Sequence, residues 1–213
     1  MLCPVSADVL FVAGWVLVRE TESAAYLGAS MPPRLVTISD CIQDELPRPE
    51  PWLGDWFQDR DEADAAARRL DDRSVMVVTV AMPRAEADDF AQAWSGEDAP
   101  WLSLLRGAVP LPADAKVLGY EVVGAQEVLD FHSWHCHGYA DDVRVDLGIG
   151  LTDQGMVPDV SAARSILPWM LARPQAQAPK PVPWTVVCLA VDSPDPDRPA
   201  DGGSVVSDAE DAD

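Results

Sequence analysis

The stretch Val9–Val18, VLFVAGWVLV, is an unbroken apolar run rich in β-branched and aromatic side chains. An amphipathic surface helix needs a polar stripe, and this run has none. It therefore predicts a strand covered on both faces and central in a sheet. The run is also only about half the roughly 20 residues a membrane-spanning helix requires, and Asp8 stands at its edge. No transmembrane segment is expected.

Three further runs share that character. Ser74–Met82 (SVMVVTVAM), Lys116–Val123 (KVLGYEVV) and Trp184–Val191 (WTVVCLAV) each predict a strand, and Arg34–Ile38 adds a short edge strand. Helical patterns lie between them. In Asp59–Leu70, Ala63, Ala66, Ala67 and Leu70 recur at helical spacing. Asp59, Asp61, Glu62 and Asp64 crowd the start of this segment, and Arg68 and Arg69 its end. The helix dipole favours that distribution, and Asp59 with Glu62 has the spacing of a capping box. Ala87, Phe90, Ala91 and Trp94 repeat the pattern after Pro83, and Val160, Ala163, Leu167, Met170 and Leu171 give a third helix. Pro168 predicts a kink or break in it near Ser165. The order of strands and helices defines an α+β fold, with a mixed or antiparallel sheet of about four to five strands and helices mainly on one face.

Residues 1–191 read as a single domain, since 48% of the chain is hydrophobic and that is enough to bury a core without staples. From Asp192 to Asp213 there are eight acids, one Arg and only two adjacent valines to bury, so this segment is expected to be a disordered acidic tail. The formal net charge is -21, and the part before the tail still carries -14. Such a surface repels nucleic acid and anionic membranes and attracts basic proteins. A secretory signal is not expected, because Met1–Asp8 holds no Lys or Arg and no small-residue cleavage site follows the first apolar run. Cys3, Cys41, Cys136 and Cys188 are too scattered for a zinc ribbon or a disulfide framework. Reduced thiols in the cytoplasm are the expectation.

All three histidines fall in His132-Ser133-Trp134-His135-Cys136-His137. Imidazole and thiolate suit zinc, so His132, His135, Cys136 and His137 are candidate metal ligands, with Asp141 or Asp142 as a carboxylate nearby. The spacing fits poorly: a helix would turn His137 away from His132 and His135, and a strand would oppose His132 to the other two. The competing reading is that Phe131, Trp134 and Tyr139 anchor the segment in the core. Nucleophile elbows, phosphate loops, dinucleotide fingerprints and H-E-x-x-H are all absent from the sequence. Trp52 and Trp56, beside the acids Asp59, Asp61 and Glu62, have the composition of a partner-binding hot spot, or of a lid over the edge of the core.

The pieces Gly119-Tyr120-Glu121-Val122-Val123-Gly124, Phe131-His132-Ser133-Trp134-His135-Cys136, Leu147-Gly148-Ile149 and Pro183-Trp184-Thr185-Val186-Val187 resemble bacterial proteins of the polymorphic-toxin immunity type. The likeness covers roughly the C-terminal half of the folded part and brings no catalytic motif with it. It implies a protein that binds and neutralises a toxin. The expectation is thus an acidic protein-binding module for a basic partner, more a binder than an enzyme. Two alternatives stand beside it: a metal-binding protein or metal-dependent enzyme centred on His132–His137, with zinc as the metal, and a housekeeping domain whose acidity is proteome bias.

Overall fold

The computed structural model describes residues 8–43, 56–70, 72, 74–127 and 130–191. Cys3, Trp52 and the acidic segment 192–213 lie outside the described residues. The chain runs through β1 (Leu10–Arg19), β2 (Thr21–Glu22), β3 (Arg34–Leu35), α1 (Asp40–Gln43), β4 (Trp56–Phe57), α2 (Arg60–Leu70) and β5 (Val75–Pro83). It continues through α3 (Arg84–Ala93), α4 (Pro100–Gly107), β6 (Lys116–Glu127), β7 (Asp130–Ser133), α5 (Ala140–Leu147), α6 (Val160–Leu171) and β8 (Trp184–Val191).

The fold is α+β. Six strands form one sheet in the order β4-β1-β5-β8-β6-β7, every neighbouring pair antiparallel, and β2 with β3 makes a separate two-stranded ribbon. The sheet is larger than expected because β4 and β7, both short, close its two edges. β1 stands one place in from an edge, and β5 and β8 occupy the centre. Arg34–Leu35 pairs with Thr21–Glu22 outside the main sheet.

Helices cover both faces, a correction to the expected one-sided packing. Alternation along β5 and β8 gives the reason, since both strands are apolar at successive positions and must be buried twice. Val78, Val80 and Met82 point with Val187 and Leu189 into a core closed by Phe90 of α3 and Trp101, Leu102 and Leu105 of α4. On the opposite face Val77 packs against Ala63 and Ala66 of α2. Val186 and Val122 there meet Val143 of α5, Ile166 and Met170 of α6, and Trp134.

Local signals explain most boundaries. Asp59 Oδ1 accepts from the N–H groups of Asp61 and Glu62 at 2.9 and 3.1 Å, capping α2 as its sequence predicts. Asp159 accepts from Ala162 N–H at 2.8 Å and starts α6. That helix runs unbroken from Val160 to Leu171 despite Pro168. The missing N–H removes one bond near its end, and buried Ala163, Ile166 and Met170 hold it to the sheet. No helix among the described residues is long and apolar enough to cross a membrane.

Gly14 sits at a bulge between β1 and β5, and a Cβ there would lie 2.0 Å from Trp56 Nε1. Its absence lets the indole cross the strand and donate to Ala13 C=O at 3.0 Å. Trp56 is consequently 6% exposed and stacked on Phe131, with ring centroids 5.0 Å apart.

Candidate functional site

The polar groups of the interior gather where the segment after β3 crosses the end of the sheet formed by β6 and β7. Val36, Thr37, Ile38 and Ser39 are all buried, and Val36 N–H donates to Gln154 C=O at 3.0 Å to hold the crossing in place. α1 follows at once and lies against β7. Chain topology thus brings Thr37, Ser39 and Cys41 onto the strands that carry Glu121 and His132.

Glu121 is the buried acid of this region. It shares a face of β6 with Val123, where the apolar pattern calls for a hydrophobe, and it is completely enclosed. Thr37 Oγ1 donates to one carboxyl oxygen, and Ile38 N–H reaches the other at 3.2 Å. Burial pushes its pKa up to about 7, against the opposing pull of the Ser133 hydroxyl, Thr37 and Ile38 N–H.

The three histidines enter three different environments. His132, on β7, is 4% exposed. Its Nδ1 lies 3.1 Å from Cys41 Sγ, and its Nε2 lies 3.0 Å from Gln126 Oε1 and 2.8 Å from Lys180 Nζ. Burial lowers its pKa, the Lys180 ammonium adds to that effect, and Asp130 at 3.7 Å opposes it. His135 is fully buried against the Trp134 ring. Neither ring nitrogen meets a partner in hydrogen-bond geometry, and burial holds the imidazole neutral, its pKa pushed down to about 3 against a weak pull from the Gly155 backbone. His137 stacks on Tyr139 with centroids 5.2 Å apart and tilts toward Trp184.

The sulfurs divide in the same way. Cys136 Sγ lies 3.0 Å from Ser39 Oγ, and burial pushes its thiol up to about 11. Cys188 is buried in β8 and pushed up to about 12. Cys41 is exposed.

His132, His135, Cys136 and His137 therefore do not converge. Among the described residues, no group of three or more His, Cys, Asp or Glu side chains is placed to hold a metal ion. The segment is anchored by its other members. Phe131 belongs to one core and Trp134 to the other, Ser133 Oγ accepts from His135 N–H at 3.2 Å, and Gly138 closes the turn at φ 69°. A cavity of about 310 Å³ opens beside it, lined by His137, Gly138, Tyr139, Asp142, Arg173 and Gln177. Arg173 lies over the Trp169 ring at 4.5 Å and pairs with Asp142 and Asp146, so its charge in the cavity wall is already neutralised.

The acidic set expected at an interface also separates. Trp56 is core, Trp52 lies outside the described residues, and Asp59 is occupied as a helix cap. Asp61 and Glu62 are exposed on the first turn of α2. Sequence reasoning left Cys41 among the scattered cysteines and gave Gln126, Lys180 and Glu121 no role of their own. Glu121 carried a visible signal, an acid at an inward position of an apolar strand. Cys41 carried none, because its imidazole partner is 91 residues away.

Compared with family models, with curated proteins and with solved structures, the chain matches none.

Proposed function

We propose that the protein is an acidic protein-binding module for a basic partner, acting in the cytoplasm as an immunity protein acts on its toxin. The observation that carries this reading is the charge of -21, of which -14 lies within residues 1–191. A field of that sign accelerates encounter with a cationic surface and repels nucleic acid. Asp61 and Glu62 suit the contact best, because α2 is a capped helix fixed to the sheet through Ala63 and Ala66, so the carboxylates are presented without much ordering cost. Exposed Asp89 on α3 and Glu97 and Asp98 beyond it add to the net negative charge from the other face of the sheet, where Asp88 is paired with Arg84.

The test is affinity capture from lysate of the protein's own source at low and moderate salt, with the captured chain identified by mass and then purified. A single basic protein retained at both salts is expected. The double variant Asp61→Lys, Glu62→Lys should slow association with it and flatten the salt dependence of the rate. Retention of nothing, or of only a salt-labile mixture of basic proteins, would reduce the acidity to surface chemistry and end this reading.

A further inference from the structure

Three thiols lie among the described residues, and only one is both accessible and paired with an imidazole. Cys136 and Cys188 are held protonated by burial and make poor nucleophiles. Cys41 is exposed on α1, with its sulfur 3.1 Å from His132 Nδ1. The other ring nitrogen is held in turn, 3.0 Å from Gln126 Oε1 and 2.8 Å from Lys180 Nζ, while Lys180 Nζ lies 2.9 Å from Gln126 Oε1. A nucleophile, a base within hydrogen-bond reach and groups that fix the far side of the base are the three parts of a thiol centre for covalent chemistry.

We propose that Cys41 is a nucleophilic thiol with His132 as its base, and that it takes an acyl group from an activated ester or thioester. The sulfur bonds to the carbonyl carbon as the bond to the leaving group breaks. The thiol proton passes to His132 Nδ1 and from there to the departing alkoxide or thiolate. Water then adds to the S-acyl carbon with the same ring accepting its proton, the carbon–sulfur bond breaks, and the carboxylic acid and the free thiol are released. Gln126 and Lys180 are positioning residues. The Lys180 ammonium can only donate, so in the resting ring Nε2 accepts from it and Nδ1–H faces the sulfur. The ring becomes a base at Nδ1 in the tautomer whose Nε2–H turns to Gln126 Oε1 while Lys180 donates to that oxygen alone. The Lys180 ammonium beside Nε2 disfavours a second ring proton, so the imidazole stays a neutral base and gives the proton up readily to the leaving group. Because the thiol is exposed, a large donor can present its carbonyl without entering a cleft. This inference is independent of the binding reading.

The experiment treats the full-length protein with 4-nitrophenyl acetate and, separately, with iodoacetamide, and locates each adduct by peptide mass. Acetyl transfer to Cys41 is expected, with alkylation of Cys41 on the order of 100-fold faster than that of glutathione at neutral pH, the range a positioned base supplies. Cys41→Ser should abolish the adduct, and His132→Asn should bring the rate down to that of an ordinary thiol. Since His132 is buried and its variant can unfold, Gln126→Glu and Lys180→Met give the second measure. Each raises the proton affinity of the ring, so each should move the acid limb of the pH–rate profile to higher pH, which a purely structural role would not do. A Cys41 that reacts no faster than glutathione, or a pH profile unmoved by both exposed-site variants, would overturn the assignment.

Discussion

Replacing Glu121 by Gln should change stability in opposite directions at low and high pH. The carboxyl is fully enclosed, and its pKa rises from 4.5 to about 7, with burial the largest cause. The folded-state value lies above the unfolded one, so the cost of ionising the group in the fold is absent below about pH 4.5 and grows until the pH passes about 7. A shift of that size costs about 3 kcal/mol above the folded pKa. Gln cannot ionise and escapes this cost, and its Oε1 can still accept from Thr37. Its amide nitrogen, however, would face Ile38 N–H, now 3.2 Å from a carboxyl oxygen, and losing that acceptor costs about 1–2 kcal/mol. The variant should therefore be less stable than the parent by about 1–2 kcal/mol near pH 4 and more stable by a similar amount near pH 8. Urea unfolding of both proteins across that range measures the difference directly, and the other titrating carboxylates cancel between them. Parallel curves, with one ΔΔG throughout, would refute the claim that a buried ionisation at this position is what the fold works against.

Four further outcomes rest on particular contacts. Trp56→Ala should destabilise by about 3–5 kcal/mol in denaturant unfolding, since the ring is buried on Phe131 and bonded to Ala13 C=O; a change near zero would return Trp56 to the surface. Gly14→Ala should be damaging at the same place, because its Cβ meets the indole at 2.0 Å, and a Trp fluorescence shift would report the displaced ring. Asp59→Ala removes the acceptor for two N–H groups of α2 and should cost about 1 kcal/mol, measured by thermal or chemical unfolding. Exhaustive treatment with EDTA should leave the melting temperature unchanged, because the rings of His132, His135 and His137 are held in three separate packing environments; a clear drop would reinstate a structural metal on this segment.

The parts of the fold that were legible are those whose burial is written into short-range pattern. β8 spans Trp184–Val191 as its apolar run predicts, and β5 and α2 begin and end within a residue or so of their signals. β4 has no pattern to read: its two residues are a strand only because Val16 and Trp15 of β1 pair with them. α4 is eight residues opened by Pro100, too short for periodicity to stand out from an apolar stretch. β7, with Asp130, His132 and Ser133 among its four residues, lacks strand composition and is held by pairing with β6 on one side and by α1 against it. One-sided cover does not fit the apolar runs themselves, since strands buried on both faces require helices above and below the sheet. Val77 and Val78, adjacent in sequence and both buried, already demanded cover above and below.

The candidate site divides along the same line, between what a segment contains and what the topology brings to it. Phe131–His137 has the composition of a metal centre, but a segment that passes from an edge strand into a single 3-10 turn must send its side chains to both cores and to the rim. Phe131 goes to one core, Trp134 to the other, and His137 to the cavity wall. Clustering in sequence therefore dispersed the imidazoles, and the reactive pairing lies across the chain. Cys41 reaches His132 because the segment after β3 is fixed by Thr37 and Ile38 on Glu121 and then turns into α1 over β7. The buried carboxyl and the exposed thiol are in this way mechanically linked. Loosening the Thr37–Glu121 contact should disturb the Cys41–His132 distance before it unfolds the sheet, so Thr37→Val should slow alkylation of Cys41 even under conditions where the protein remains fully folded. Unchanged alkylation in a folded Thr37→Val protein would show that α1 holds its place on β7 without that anchor.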